Sequence, residues 1–184
     1  MWAVWITGLP GSGKSTIARE LLKLLKINGI KAEYLRMDEI RKFLTPEMKY
    51  TDEEREHAYR SLVMVASFLV KNGVNVVIDA TGHKRVWREL ARIKIKNFVE
   101  VYVKCPLEVC IERESNRKGG LVTANIYKKA KERLKSGEKV KGLGEVIGVD
   151  VPYEEPVNAE IFIESDKLKP LESTEKIFNI VKNL

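Results

Sequence analysis

The sequence predicts an α/β fold: a central parallel five-stranded sheet with helices on both faces. Three observations point there. Short apolar runs alternate along the chain with stretches of helical period, and strands separated by helices of about ten residues or more pair in parallel. The first apolar run leads straight into a glycine-rich stretch, residues 8–16 (G-L-P-G-S-G-K-S-T), and a helical pattern follows it. Asp38 and Asp79 follow the second and third runs, where strand ends face a ligand crevice in such folds.

Residues 2–6 form the first expected strand. Residues 15–27 follow as a helix, with Ile17, Ala18, Leu21, Leu22 and Leu25 on one face and Asn28-Gly29 as its stop. A short strand covers 32–35; Asp38 comes next, then a brief helix over 39–43 that Pro46 ends. Thr51 reads as a helix cap with Glu54 three residues on. The helix to Lys71 is expected to bury Ala58, Leu62, Val65, Ala66 and Leu69, and Asn72-Gly73 ends it. Residues 74–78 are a strand closed by Asp79, residues 84–95 a helix, and 98–103 the fourth strand. Pro106 opens a helix to Glu114. The stretch 115–148 is polar, basic and glycine-dotted, with one helical piece over 125–134. Strand five spans 159–163 and the last helix 171–183. The reading is one domain over residues 1–184, with a lid at about 115–148.

At 184 residues and 44% apolar content the chain can bury one sizeable core. No run of about 18 apolar residues exists, so no membrane span is expected. The opening M-W-A-V-W-I-T-G lacks a basic leader region, which predicts a cytoplasmic protein. Cys105 and Cys110 read as two buried thiols rather than a disulfide or a metal pair. Between residues 113 and 141 lie ten basic and three acidic residues, which accounts for the whole formal charge of +7. That segment has one aromatic, Tyr127, and so lacks the stacking platforms of a nucleic-acid grip. A lid that closes over a reaction and excludes water suits it better.

Residues 8–16 match G-x-x-x-x-G-K-[ST] through Gly8, Gly13, Lys14 and Ser15. A triphosphate needs many donors in a small volume, and such a loop points successive backbone N–H groups inward. Gly11, Ser12, Gly13, Lys14, Ser15 and Thr16 are therefore expected to hold ATP, with Lys14 beside the outer phosphates and Ser15 on Mg²⁺. Asp79-Ala80-Thr81-Gly82 matches the D-x-x-G of GTPases, but V-K-C-P stands where a guanine-reading N-K-x-D would end strand four. A motor ATPase would need a partner's arginine. A kinase explains more. Asp38 would take the acceptor hydroxyl proton or hold a metal-bound water, and Asp79 would sit nearer Ser15 and the metal. Asp38 also suits a helix cap, and Asp79 a strand-end turn. Arg41, Arg55, Arg60, Arg113 and Arg117 are candidates to meet the charge of the migrating group, because a guanidinium fork matches phosphate or sulfate oxygens.

The motifs together resemble the adenylyl-sulfate kinase family, whose fold is a P-loop kinase fold. W-I-T-G-L-P-G-S-G-K-S-T-I-A is similar to its first strand and loop, and Met37 to Arg41 stand at its acceptor motif. Glu53-Glu54-Arg55 and His57 to Arg60 resemble its next helix; V-Y-V-K-C-P-L-E-V-C is close to its fourth strand and helix start. I-Y-K-K-A resembles the lid helix and G-V-D-V-P-Y-E-E-P its last loop. The resemblance implies ATP-dependent phosphorylation of the 3′-hydroxyl of adenosine 5′-phosphosulfate. It implies Asp38, Lys14 and Arg41 as the catalytic set, and an anionic nucleotide held by Asp38, Arg41, Arg55, Thr81 and Lys128. Mg²⁺ falls to Ser15, Asp38 and Asp79, and adenine to the space between Arg113 and the 152–157 loop with Pro156 and Val157. It also implies a homodimer, for which Trp2, Trp5, Tyr59 and Trp87 are the candidate contacts. Three stretches differ from the family pattern, one of them the lid region, which is longer between Arg113 and Tyr127 than the family's link. Arg36-Met37-Asp38-Glu39 stands where the family has roughly Asp-Gly-Asp-Asn, and Ala80-Thr81-Gly82-His83 where it has isoleucine-serine-proline-aromatic. Another small alcohol, a nucleoside or a 5′-hydroxyl nucleic acid stays open as acceptor. In the altered motif Glu39 would need an arginine, Arg41 or Arg55, if it pointed inward, and His83 would lie on a loop near the acceptor or face solvent.

Overall fold

A computed structural model describes residues 1–45, 51–116, 125–137 and 143–184. Five strands, β1 (Ala3–Thr7), β2 (Ala32–Arg36), β3 (Asn75–Asp79), β4 (Phe98–Lys104) and β5 (Ile161–Glu164), form one sheet in the order β2-β3-β1-β4-β5. All four pairings are parallel, as the strand–helix alternation predicts. β1 lies at the centre, and its five residues are all buried, which explains a run with no polar alternation.

Helices α1 (Lys14–Ile27) and α7 (Pro170–Val181) cover one face; α3 (Asp52–Lys71) and α4 (Arg85–Lys94) cover the other. α1 buries Ile17, Ala18, Leu21 and Leu25 against Val4, Ile6 and Val101, with Leu22 partly buried at the rim. The second cluster is built on Trp5, Tyr59, Leu62 and Trp87. A third, smaller cluster joins α5 (Leu107–Ser115) to α6 (Ile126–Ser136) through Cys110, Tyr127 and Ala130. The remaining helix, α2 (Met37–Leu44), follows β2 directly.

Strand and helix boundaries fall within two residues of those expected. The Thr51 hydroxyl accepts from the Glu54 N–H at 3.2 Å, a cap that stabilises a helix end by about 1 kcal/mol. Both cysteines are buried free thiols, and burial first, then Cys105, pushes Cys110 up to about 12. Three expectations are corrected. Val65 is exposed, and Tyr59 and Val63 take the inner face of α3 instead, because the helix turns that stripe toward α4 and the sheet. Trp2, Trp5, Tyr59 and Trp87 are all core residues, at most 3% exposed, so none offers an intersubunit contact. Trp5, Tyr59 and Trp87 fill the layer between β1 and α3–α4, while Trp2 packs on the α1–α7 face. Asp38 lies inside the first turn of α2, whose capping residue is Arg36. Pro46, Arg117 and much of the basic 115–148 stretch lie outside the described residues. Among the described residues, no helix is long and apolar enough to cross a membrane.

Candidate functional site

The loop between β1 and α1 turns back on itself at three glycines of positive φ: Gly8 (148°), Gly11 (83°) and Gly13 (100°). Gly11 illustrates the constraint. A Cβ there would overlap the Cys110 carbonyl of α5, so the loop can pack on α5 only with glycine. The Lys14 ammonium folds over the loop and donates to the Leu9 carbonyl at 2.9 Å. The Ser12 hydroxyl is buried and, among the described residues, without a hydrogen-bond partner, within a loop of the anion-cradling type.

This loop forms the floor of a cavity of about 540 Å³. β2 and α2 bring Asp38 and Arg41 to its wall; the end of β3 brings Asp79, Ala80 and Thr81. Arg113 and Glu114 at the end of α5 close one side, and residues 143–147 form a strap over it. Asp79 is buried, and its carboxylate accepts from the Tyr34 hydroxyl at 2.7 Å. Burial, then the Asp79 charge, pushes the Tyr34 phenol above its ordinary range, so it stays a donor and orients that carboxylate.

Of the residues singled out from sequence, Gly11, Gly13, Lys14, Ser15, Thr16, Asp38, Arg41, Arg55, Asp79, Thr81 and Arg113 share this one cavity. Pro156, Val157 and Lys128 line neither it nor the second cavity. The second is an open space of about 810 Å³ that takes Pro152, Tyr153 and Glu155 of the last loop, while Arg113 stays on the first. Arg113 instead donates to the Ser165 hydroxyl at 3.2 Å and carbonyl at 2.9 Å, just after β5. Glu39 pairs with Arg36 at 2.7 Å on the exposed side of α2, not with Arg41 or Arg55. It therefore adds no charge to the cavity. His83 is buried, 2% exposed, with its ring edge-on to Trp87 at 5.0 Å and, among the described residues, no hydrogen-bond partner on either nitrogen. It neither faces solvent nor lines the cavity.

Sequence reasoning missed Arg19, Tyr59, Glu114 and the strap residue Glu145. Helical spacing was the available signal: Arg19 lies four residues after Ser15 and Tyr59 four after Arg55, so each shares a helix face with its partner. Glu114 accepts from the Ile126 N–H at 3.1 Å and so ties α5 to the start of α6.

The sequence model of the adenylylsulphate kinase family matches residues 1–164. The chain belongs to that family. It is 40% identical over 166 residues to a probable adenylyl-sulfate kinase of Archaeoglobus fulgidus, covering 90% of this chain and 97% of that one. A probable adenylyl-sulfate kinase of Pyrococcus abyssi is 38% identical over 183 residues, covering 100% and 96%. Among solved structures, the APS kinase of Mycobacterium tuberculosis in complex with AMPPNP and APS superposes with a TM-score of 0.79 at 27% identity, covering 98% and 96%. In this chain the phosphate loop, Asp38 and Asp79 meet on one cavity.

Proposed function

We infer that this chain transfers the γ-phosphate of ATP to the 3′-hydroxyl of adenosine 5′-phosphosulfate, giving ADP and 3′-phosphoadenosine 5′-phosphosulfate. The observation that carries the reading is one cavity shared by the phosphate loop, Asp38, Arg41 and Arg55. Family membership supports the choice of acceptor.

The backbone of residues 11–16 and Lys14 hold the phosphates of ATP. Arg113 takes the adenine end, since Pro156 and Val157 lie off the cavity. Asp38 faces the acceptor and accepts the proton of its hydroxyl as the oxygen attacks the γ-phosphorus and the bond to the β-phosphate oxygen breaks. Arg41 and Arg55 supply planar forks for the acceptor's anionic groups. Ser15, Asp38 and Asp79 place hydroxyl and carboxylate oxygens on the same cavity, the donor set of a hard cation such as Mg²⁺. When bound, Mg²⁺ neutralises charge on the phosphates. Water exclusion falls to the basic segment that carries α6, on which Lys128 is exposed. A homodimer would use another surface than the four core aromatics; Met64 and Phe68 of α3 are two of several exposed apolar residues.

An acceptor panel tests the reading: adenosine 5′-phosphosulfate, nucleosides, serine, small polyols and 5′-hydroxyl RNA, each with ATP and Mg²⁺. Turnover is expected with the phosphosulfate. Product formed only with a non-nucleotide alcohol or RNA overturns the acceptor.

A further inference from the structure

We propose that Tyr153 and Thr7 are positioning residues for phosphoryl transfer, through a hydroxyl relay that fixes the acceptor wall of the cavity to the root of the phosphate loop. The proposal rests on the kinase reading above. Thr7 is the last residue of β1, fully buried, and the phosphate loop begins at the next residue. Its hydroxyl lies 2.5 Å from the Thr81 carbonyl and 2.8 Å from the Tyr153 hydroxyl.

The direction of the relay follows by elimination. A threonine hydroxyl has one proton to give, and a carbonyl can only accept. The Thr7 proton therefore goes to Thr81, and the Tyr153 phenol must donate to Thr7. Each donation polarises the next, so the two bonds strengthen one another. Burial pushes the Tyr153 phenol above its ordinary range, so it remains a donor.

Tyr153 is itself held from two sides. Its ring stacks on Tyr102 with centroids 5.8 Å apart and planes 19° apart, and the Arg88 guanidinium lies 5.5 Å from its centroid. Arg88 is buried and pairs with the buried Glu100 at 2.6 Å. It also donates to the Gly82 carbonyl and, at 2.6 Å, to the Glu154 carbonyl. The Gly82 N–H donates to the Tyr59 hydroxyl at 2.8 Å. Gly82 has a φ of 51°, and a Cβ there would meet the Trp5 ring at 2.9 Å. The carbonyls of Thr81 and Gly82 are thus each fixed by a side chain from outside their own loop. Thr81 lines the cavity beside the phosphate loop. What the relay fixes is the distance between the acceptor wall and Lys14, the separation that in-line transfer depends on.

The test uses full-length protein and four variants: Thr7→Val, which keeps the shape and removes the hydroxyl; Tyr153→Phe, which keeps the stacked ring; their double variant; and Thr7→Ser. Each is measured for thermal stability, ATP affinity by titration, and kcat with the acceptor that wild type uses. Misplacement of reacting groups predicts a fall in kcat of roughly tenfold or more in each single variant, with ATP affinity within about twofold of wild type. The double variant falls no further than the worse single, as for residues acting as one unit. Thr7→Ser recovers most of the rate. If Thr7→Val fails to fold, Tyr153→Phe and Thr7→Ser decide. Near-wild-type kcat in folded single variants, additive losses in the double, or ATP affinity falling in step with kcat overturns the relay. A wild type that binds ATP and phosphorylates no acceptor overturns the kinase reading instead.

Discussion

Arg55 and Glu145 are joined twice: one guanidinium nitrogen donates to the Glu145 carbonyl at 2.6 Å, the other to its carboxylate at 3.1 Å. Arg55 is 2% exposed, so α3 holds the strap over the cavity from below. The other end of the strap is held from α6, where Arg133 donates to the Leu143 carbonyl at 3.0 Å and to Asp150 at 2.6 Å. The Glu145 carboxylate thereby sits on the guanidinium assigned to the anionic acceptor. Glu145→Gln keeps the carbonyl bond and removes the competing charge, so the acceptor KM should fall several-fold with kcat unchanged. Arg55→Lys keeps a cation and loses the fork, and should raise the acceptor KM by about tenfold, the scale of one charge-assisted hydrogen bond. Steady-state kinetics at saturating ATP checks both; a raised KM in Glu145→Gln would show that the carboxylate serves binding.

Lys14 is the only lysine on the cavity lining among the described residues, and it lies over the phosphate loop. Lys14→Ala should weaken ATP binding by at least tenfold while leaving the fold intact, since the loss falls on charge-assisted phosphate contacts. Calorimetric titration with ATP and Mg²⁺ reads this directly. Unchanged affinity would remove Lys14 from the phosphate site.

Asp38 is half-buried in the first turn of α2 and lines the cavity, where the proposed reaction assigns it to the acceptor. Asp38→Asn preserves shape and removes the base. It should keep ATP affinity and lower kcat by about 10²-fold or more, the scale of general-base assistance. Rates near wild type would leave Asp38 a helix-end residue only.

His83 predicts a pH effect on stability. Burial, with the Arg55 and Lys84 charges beside it, holds the ring down to about 4. An unfolded histidine titrates at about 6.5. Between these values the unfolded chain binds a proton that the folded chain refuses, so stability falls as pH drops from about 6.5 toward about 4. Above that window the residue contributes no pH dependence. His83→Phe keeps an aromatic ring against Trp87 and removes the titration. The melting temperature of wild type should fall more steeply than that of the variant across the window; parallel curves would contradict the assignment.

The fold was legible because its signals are local. The apolar runs, Asn28-Gly29, Thr51 and Pro106 each mark an element end by their own chemistry, and the glycines of the phosphate loop declare a backbone that no other residue adopts there. Half of the site was legible for the same reason: Lys14, Ser15, Asp38 and Asp79 sit at fixed offsets from strand ends. The other half depends on tertiary pairing. Nothing near Glu145 in sequence announces Arg55, ninety residues earlier. Aromatics suit both interfaces and cores, and only the packing of helices on the sheet distinguishes the two: α3 and α4 bury Trp5, Tyr59 and Trp87 on one face, and Trp2 is buried in the α1–α7 cluster on the other. Pro156 and Val157 were placed by likeness of a motif, whose neighbouring residues turn toward the second cavity.

The most direct measurement is identification of the product formed from ATP, Mg²⁺ and adenosine 5′-phosphosulfate by wild-type protein, using phosphorus NMR to locate the new phosphate. The account predicts ADP and a sulfonucleotide phosphorylated on its 3′-hydroxyl in equal amounts, and no such product from Asp38→Asn on the same timescale. Unmodified adenosine 5′-phosphosulfate beside ATP-bound, folded protein would contradict it.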